Sequence, residues 1–566
     1  MQIRLKDYLK AEERGASCAV ARALSDMQAG DTLLLGGQRI DFYKEGAAEK
    51  YYCVSNNDKG QKNIVFPLMG KKNITVDGEG AELIFHGEIM PFVLDACENI
   101  IIKNLSIDYA SPMYVQAEIA EAQKGYMELT FDGDEFKFRE EDGKFWIYSD
   151  EDAWKQEFRH CLVMEVDKHT KGPSAYKRNY ITETEEGADH GFLSRMFKVV
   201  KYKALGDNRL AVYGDVGYTH QQGNYWVATF HYNRKNPGIF INASKNVTLE
   251  NINLYHALAM GVICQISENI TLKNLQTKLR EGSRRLLTVC ADATHFVNCR
   301  GKIVMTDCFF TNMLDDALNI HGIYNKIIRM EGINRVIGGF GHFQQRCIHI
   351  YKQGEAFRVI EVETAKTVAN YTVKEAGLLS EEEVWVETNE PMSVYDDRYI
   401  IENLSANPEV EICNCECGNN RPRGFLLGSP KRMLVENCIF YNMYAGINIG
   451  SEMTDWFESG QVNDVTIRGN HFNNSAFAGA SPAISIAPKV RHMDSLRHYH
   501  KGIVIENNTF TMAERRFLHA HAVDNLIFRN NKFICDENLP KHGTIGADGV
   551  FITNCENVVY EPVVLN

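Results

Sequence analysis

No run in the 566-residue chain approaches the roughly 18–20 apolar residues that a helix needs to cross a bilayer, so no membrane contact is expected. The opening segment MQIRLKDYLKAEERGAS is charged and has no apolar signal core. As written, the chain is expected in the cytoplasm, unless it was trimmed from a secreted precursor. Without a secretion signal, the fifteen cysteines point to free thiols in a reducing compartment. Basic residues are short, 61 Lys and Arg against 74 Asp and Glu for a net charge of −13. That balance lacks the basic footprint a nucleic-acid partner requires, and it suits a neutral or modestly charged substrate better than a polyanion. No Gly-rich phosphate loop and no Ser/His/Asp arrangement is visible. At 44% hydrophobic and 24% charged residues, the composition is that of a folded chain and excludes wholesale disorder. The length exceeds one ordinary domain of roughly 100–200 residues, which leaves several domains or one long repetitive one.

A repeat is present. An apolar–polar alternation closing on asparagine reads NVTLEN at Asn246–Asn251, NITLKN at Asn269–Asn274, MLVENC at Met433–Cys438, IVIENN at Ile503–Asn508 and NLIFRN at Asn525–Asn530, with earlier forms NITVDG at Asn73–Gly78 and NIIIKN at Asn99–Asn104. Asn251 to Asn274 and Asn507 to Asn530 are each 23 residues apart. Period-2 alternation marks strands, and asparagine tolerates the left-handed turn between them. A repeat this short is below the roughly 33–50 residues of helical-pair repeats and propeller blades. It fits one coil of a parallel β-helix, with coils stacked about 4.8 Å apart; a β-sandwich with chance asparagines is the alternative. Each coil carries a second strand, as in GVICQIS (Gly261–Ser267), RGFLLGSP (Arg423–Pro430) and AGINIGS (Ala445–Ser451). Cys18–Leu35 reads as an amphipathic helix and a first strand that cap the open end.

Two stretches, Met113–Phe230 and roughly Asn325–Pro408, lack the asparagine phrase but alternate as strands. The expected fold is therefore all-β: a right-handed parallel β-helix with two inserted small antiparallel β domains. Its parts are an N-terminal cap and first coils (1–112), insertion one (113–230), coils carrying the candidate site (231–324), insertion two (325–408) and C-terminal coils (409–566).

The segment Leu286–Gly322 is the richest in chemistry. Aligning second strands sets His295-Phe296-Val297 beside Leu318-Asn319-Ile320, with Phe425-Leu426-Leu427 and Ile447-Asn448-Ile449 on later coils. Asp292 then falls over Asp315, one 23-residue coil apart, and Asp316 shares a column with Arg423. Like charges that close raise at least one pKa, leaving one acid protonated while others stay ionised, as glycoside hydrolysis requires. Crowding by Asp292 and Asp316 is expected to protonate Asp315, and Arg423 to hold Asp316 ionised. A lone Asp-Asp before a strand is usually a turn or cap, and calcium also uses clustered carboxylates. The third aspartate argues against the first, and His321 and Asn319 on the same strand against the second.

ADATHFVNCRG followed by DDALNIHG resembles the active-site region of glycoside hydrolase family 110, exo-acting α-1,3-galactosidases of gut and marine bacteria. YCVSN (Tyr52–Asn56), ITVDGEGAELIFHG (Ile74–Gly87) and NLSIDY (Asn104–Tyr109) are also family-like, so the resemblance covers most of the chain. It implies a β-helix with inserted β domains that removes terminal α-1,3-linked galactose, including that of the blood-group B determinant, with inversion. By position it makes Asp315 the general acid, with Asp292 and Asp316 sharing the base role. His295, Asn319, His321, Arg423 and Trp456 are the expected substrate-binding residues, and no metal and no cofactor is expected. The expected partner is a carbohydrate with terminal α-galactose, and a homo-oligomer is compatible with the chain. Polygalacturonases also set one aspartate before an Asp-Asp pair, but no Arg-Ile-Lys follows His321 to grip a uronate. A non-catalytic carbohydrate-binding β-helix is the remaining alternative.

CNCEC (Cys413–Cys417) puts three cysteines on one face of a strand, expected as an inward stack with Cys290, Cys299, Cys308 and Cys438 rather than a zinc site. In GNYWVATFHYNR (Gly223–Arg234), Tyr225 and Trp226 serve either to stack on a sugar or to join insertion to helix. Tyr444, Glu452 and Trp456 are candidates to line the same groove.

Overall fold

The computed structural model describes residues 1–148, 154–159, 161–175, 180–183, 197–217, 220–230, 234–479, 481–493 and 496–565. Its long strands follow directly from the repeated phrase. In Lys245–Leu254, Val247 and Leu249 are buried, Asn251 turns the corner at φ 53°, and Ile252 and Leu254 are buried again. This segment pairs in parallel with Glu98–Tyr109 on one side and Glu268–Thr277 on the other. In these coils each corner asparagine passes an amide hydrogen bond to the corner before it. Asn274 donates to Asn251 at 3.0 Å, 23 residues away, and Asn251 to Asn104 at 3.1 Å. The residues at the start of each phrase repeat the pattern, Asn269 donating to Asn246 and Asn246 to Asn99. Asparagine serves here twice, tolerating the left-handed corner and stitching one corner to the next.

A second parallel column carries the site. Its members are β1 (Ile239–Asn242), β2 (Val262–Gln265), β3 (Thr294–Val297), β4 (Leu318–Glu331), β5 (Phe425–Leu427) and β6 (Ile447–Ile449), paired in that order. Their inward residues join those of the long strands in one apolar interior, where Phe440, Phe472 and Phe510 stack at ring separations of 5.0 Å. The outward face changes character along the column. Phe240 and Ile263 are covered by Tyr52, Val54 and Met260, whereas the next two residues in that row are His295 and Asn319. The repeat is not uniform: β2 to β3 spans 32 residues, Val262 pairing with Thr294. The helix α1 (Ser17–Asp26) buries Ala19, Val20, Ala23 and Leu24 at the amino-terminal end, and the strand Thr32–Leu34 follows it.

Antiparallel strands interrupt the coils twice. Strands between Tyr114 and Phe230 close into a barrel beside a three-stranded sheet. β4 runs parallel in the column at Leu318–Ile320, then continues as an antiparallel strand against Tyr399–Asn403 and Arg335–Phe340. One continuous strand thus serves both sheets.

Two readings are corrected. The three cysteines of CNCEC do not share a strand face, because Asn414 (φ 56°) turns the corner between Cys413 and Cys415. Cys413 is half-exposed, while Cys415 lies against Cys308 and Cys438 inside the coils. Cys290 faces the site cavity instead of joining that stack. Trp226 offers no face to a sugar: it is 1% exposed, packed near Phe158 in the barrel. Tyr225 pairs opposite Val166 with Lys171 over its ring, and residues 231–233 of the same stretch lie outside the described residues.

The corner ladder makes a stability prediction. Asn251→Val places a β-branched residue at positive φ and removes both amide bonds, so it should destabilise the fold by about 1–2 kcal/mol. Asn251→Gly, which suits the corner, should cost less. Urea unfolding followed by circular dichroism compares the two.

Candidate active site

The three aspartates sit where strands of the second column begin. Thr294 pairs with Leu318 and His295 with Asn319, a step of 24 residues. Asp292 is therefore the rung neighbour of Asp316, not of Asp315, and His295 stands beside Asn319, not Leu318. The extra residue is a bulge, where Glu268 faces Arg300 but Ile270 faces Ile303, with Gly301 at φ 64°. The backbone confirms the register: Ala293 N–H donates to the Asp316 carbonyl at 2.9 Å. Asp316 does share its column with Arg423, since Leu318 pairs with Phe425.

All eight expected residues, Asp292, Asp315, Asp316, His295, Asn319, His321, Arg423 and Trp456, line one cavity of about 500 Å³. Exposure separates the carboxylates. Side-chain exposure is 17% for Asp315 but 4% for Asp292 and 2% for Asp316, so Asp315 reaches furthest into the cavity. Each has its own partner. Arg234 Nη2 donates to Asp315 Oδ2 at 2.6 Å. Arg423 grips both oxygens of Asp316, Nε at 2.9 Å and Nη2 at 2.8 Å, and adds its backbone N–H at 3.2 Å. Asp292 Oδ2 lies 2.7 Å from His295 Nδ1.

The histidines extend this line. His295 and His321 project from the same outer face of neighbouring strands, two residues out of step, and their Nε2 atoms are 2.9 Å apart. His321 Nδ1 donates to the Gly322 carbonyl at 2.7 Å. Glu458 closes the cluster, with Oε1 3.5 Å from His321 Nε2. The Asn56 amide donates to that oxygen at 2.7 Å, and the Asn319 amide reaches Oε2 at 3.4 Å. Among the described residues, His295, His321 and Glu458 are the cluster with ligand atoms within 4.8 Å of one another, and those atoms are already engaged with each other. Trp456 packs on the His342 ring at 4.0 Å, with the Arg234 guanidinium 5.8 Å from its own ring. Glu452, also in the cavity wall, accepts the Asp455 and Trp456 N–H groups and pairs with Lys489.

Electrostatics depart from expectation. Burial pushes the Asp292 carboxyl well above the usual carboxylate range, and Asp315 adds to it against Arg234. Burial also pushes Asp316 up, with Arg423 opposing and Asp315 and Asp292 adding. Asp292 and Asp316 are thus both raised, and Arg423 does not outweigh the burial of Asp316. Burial holds His295 well below its ordinary range, and His321 lowers it further. Burial alone would raise Glu458, but His321, His295, the Asn56 amide and Arg423 together keep it below the ordinary value.

Arg234, Glu458, Asn56 and His342 were not singled out from sequence. Arg234 ends the stretch noted only for its aromatics, and Glu458 ends DWFESG, noted only for its tryptophan. Arg234 comes from a loop and Glu458 from a two-residue strand, both far from the aspartates in sequence, and no periodicity marks them.

No family model matches the chain. Full-length relatives do. It is similar to α-1,3-galactosidase B of Phocaeicola vulgatus, 33% identical over 540 residues covering 90% of this chain and 86% of that one. It is also similar to α-1,3-galactosidase B of Parabacteroides distasonis, 31% identical over 511 residues covering 87% and 80%. The chain belongs to the α-1,3-galactosidase family. A further member, α-1,3-galactosidase B of Bacteroides thetaiotaomicron, is 29% identical over 542 residues, covering 94% and 85%. Among solved structures, the galactosidase-family chain is similar to the A-module of a mannuronan C-5 epimerase from Azotobacter vinelandii at 10% identity. That overlap covers 99% of both chains at a TM-score of 0.40, too loose to bear on the site.

In this glycosidase family member, the Asp316–Arg423 pair yields a stability prediction. The folded carboxyl of Asp316 is raised, so its contribution to stability is fully present below the unfolded value of about 3.9 and is lost as pH rises through the folded value. Arg423 opposes that loss. Arg423→Met should therefore melt near wild type at pH 4 and fall increasingly below it towards pH 8. Differential scanning fluorimetry across this range checks it; a gap constant with pH counts against the pairing.

Proposed function

We propose that the chain is an exo-acting, inverting glycoside hydrolase that removes terminal α-1,3-linked galactose from oligosaccharides or glycoconjugates, of linear or blood-group B type. The observation that carries this reading is three carboxylates on adjacent rungs of one cavity, in a chain whose relatives are named α-1,3-galactosidases. We read the scaffold as a right-handed β-helix of about 23 residues per coil, with inserted antiparallel domains at 113–230 and 325–408 between coil segments 1–112, 231–324 and 409–566. A cavity of about 500 Å³ is of small-ligand size and suits one sugar end better than a polymer running through.

Asp315 is proposed as the acid because it reaches furthest into the cavity and Arg234 holds only Oδ2; Oδ1 has no partner among the described residues. Its second oxygen is thus placed to meet the leaving glycosidic oxygen. Asp292 and Asp316, on the rung floor, take the base role towards water. Asn319, whose Oδ1 is buried and unpartnered, together with His295, His321, Arg423 and Trp456, is proposed to hold the sugar. A polygalacturonase reading needs cations free for a uronate. Arg234, Arg423 and Lys489 each already face a carboxylate, which leaves Arg421, whose Nε–H donates to the Leu314 carbonyl, as the one arginine or lysine of the wall among the described residues that faces none. A purely binding role leaves the raised Asp292 and Asp316 without a use.

Proton NMR of the first-formed galactose tests stereochemistry: β-galactose is expected, and α-galactose contradicts inversion. Asp315→Asn should lose about 10²–10⁴-fold in kcat on a galactosyl disaccharide and clearly less on an aryl galactoside with a good leaving group. Asp292→Asn and Asp316→Asn should fall similarly on both. If all three folded variants stay active, the carboxylates are structural.

A further inference from the structure

The line Asp292–His295–His321 admits three hydrogen patterns. The Gly322 carbonyl can only accept, so His321 Nδ1 carries a proton. The 2.9 Å contact between the two Nε2 atoms needs one proton between them. If a neutral His295 supplies it, His295 Nδ1 is bare and Asp292 must be protonated to bridge their 2.7 Å contact; if His295 supplies it as an imidazolium, Nδ1–H donates to an Asp292 carboxylate, a state that burial and His321 oppose. If His321 supplies it, His321 is an imidazolium and His295 Nδ1–H donates to an Asp292 carboxylate. All three patterns hold the same number of protons, and the His295 imidazolium lies between the other two. Two short hops interconvert them.

Resting on the galactosidase reading, we infer that His295 and His321 set the protonation of Asp292, and that Asp292, not Asp316, is the carboxylate that activates water. The Asp292 O–H breaks as His295 Nδ1–H forms, and His295 Nε2–H breaks as His321 Nε2–H forms. Asp292 is left as a carboxylate, and the charge rests on His321 beside Glu458 Oε1, 3.5 Å away. Water then bonds to the anomeric carbon and gives its proton to Asp292. The glycosidic bond breaks as Asp315 protonates the leaving oxygen; His321 then gives up the relayed proton to solvent and Asp315 regains one from it, which restores the resting state. Asp316 is not wired this way. Both its oxygens accept from Arg423, and no histidine among the described residues bonds to it.

The charged groups facing this line are Asp315 and Asp316 from the turn before β4, Arg234, Arg423, Glu458, and His342 on the far side of Glu458. Asp315 opposes ionisation of Asp292, whereas Arg234 and Arg423 favour it. Glu458 is the anion that offsets a proton on His321. His295, His321 and Glu458 are thus positioning residues that act through Asp292.

Glu458→Gln and His321→Gln in the full chain test this, with circular dichroism to verify folding. Either change denies the proton its second resting place, so Asp292 must shed it to solvent. The ascending limb of kcat against pH should move up by about one unit or more, a loss of tenfold or more on its acid side with recovery at higher pH. In Glu458→Gln, which leaves every residue proposed to hold the sugar in place, KM for an α-1,3-galactosyl disaccharide should change by no more than about threefold. An equal loss at every pH, a change confined to KM, or an unmoved limb overturns the proposal. So does a limb that moves in Asp316→Asn but not in Glu458→Gln. A second readout does not depend on turnover. The wild-type protein should show a strongly downfield exchangeable proton resonance that His321→Gln abolishes. Its absence from folded wild type overturns the relay whether or not α-galactosides are cleaved, and its presence in a protein that cleaves none of them places the failure in the substrate reading. Elemental analysis finding one tightly held metal ion per chain, lost on His321→Gln, also overturns it.

Discussion

Everything in this protein depends on parallel register between successive coils. Backbone hydrogen bonds set the rung spacing, and at the Asn104, Asn251 and Asn274 corners the asparagine amides bond from one coil to the next. A slip of one residue would move inward side chains out and outward ones in, so register is held by the apolar interior as well as by the ladder. The site uses this rigidity. Asp292, Asp316 and Arg423 are chain-distant residues brought onto consecutive rungs by strand pairing alone, and the bulge at Gly301 decides which aspartate stands beside which.

The second constraint is charge. Asp292, Asp315, Asp316 and Glu458 converge on one cavity, and isolated carboxylates so enclosed would not stay ionised. Arg234 and Arg423 offset two of them, and the histidine pair lies between the other two. The compensation comes from separate parts of the chain: Arg234 after the first antiparallel sheet, Arg423 from a later coil, and Glu458 from the strand pairing with β4. The antiparallel strands contribute here too, since Arg234 follows the first set and His342, stacked on Trp456, follows the strand Arg335–Phe340. Removing one of these charges changes the protonation of its neighbours, so the site behaves as one coupled unit.

The coil strands were legible because each is a local pattern: alternation of burial, then an asparagine at positive φ, visible in Lys245–Leu254 as in His500–Glu506. The candidate aspartates were legible because spacing in a repetitive chain stands in for distance in space. That substitution holds only while the repeat is regular. It placed Asp292 over Asp315, and one bulged residue moved it beside Asp316. It placed three cysteines on one face, and a corner at Asn414 separated them.

The amino-acid order by itself determined the alternating strands, their asparagine corners and the candidate set of Asp292, Asp315, Asp316, His295, Asn319, His321, Arg423 and Trp456. These are local properties, carried by periodicity and by residue type. Only the tertiary structure decided the partners: Arg234 on Asp315, Glu458 near His321, and the two imidazoles in contact. Such pairings depend on where loops of irregular length come to rest. Which carboxyl is raised depends on how deeply each is buried among the others, and neither quantity is written in the spacing of the chain.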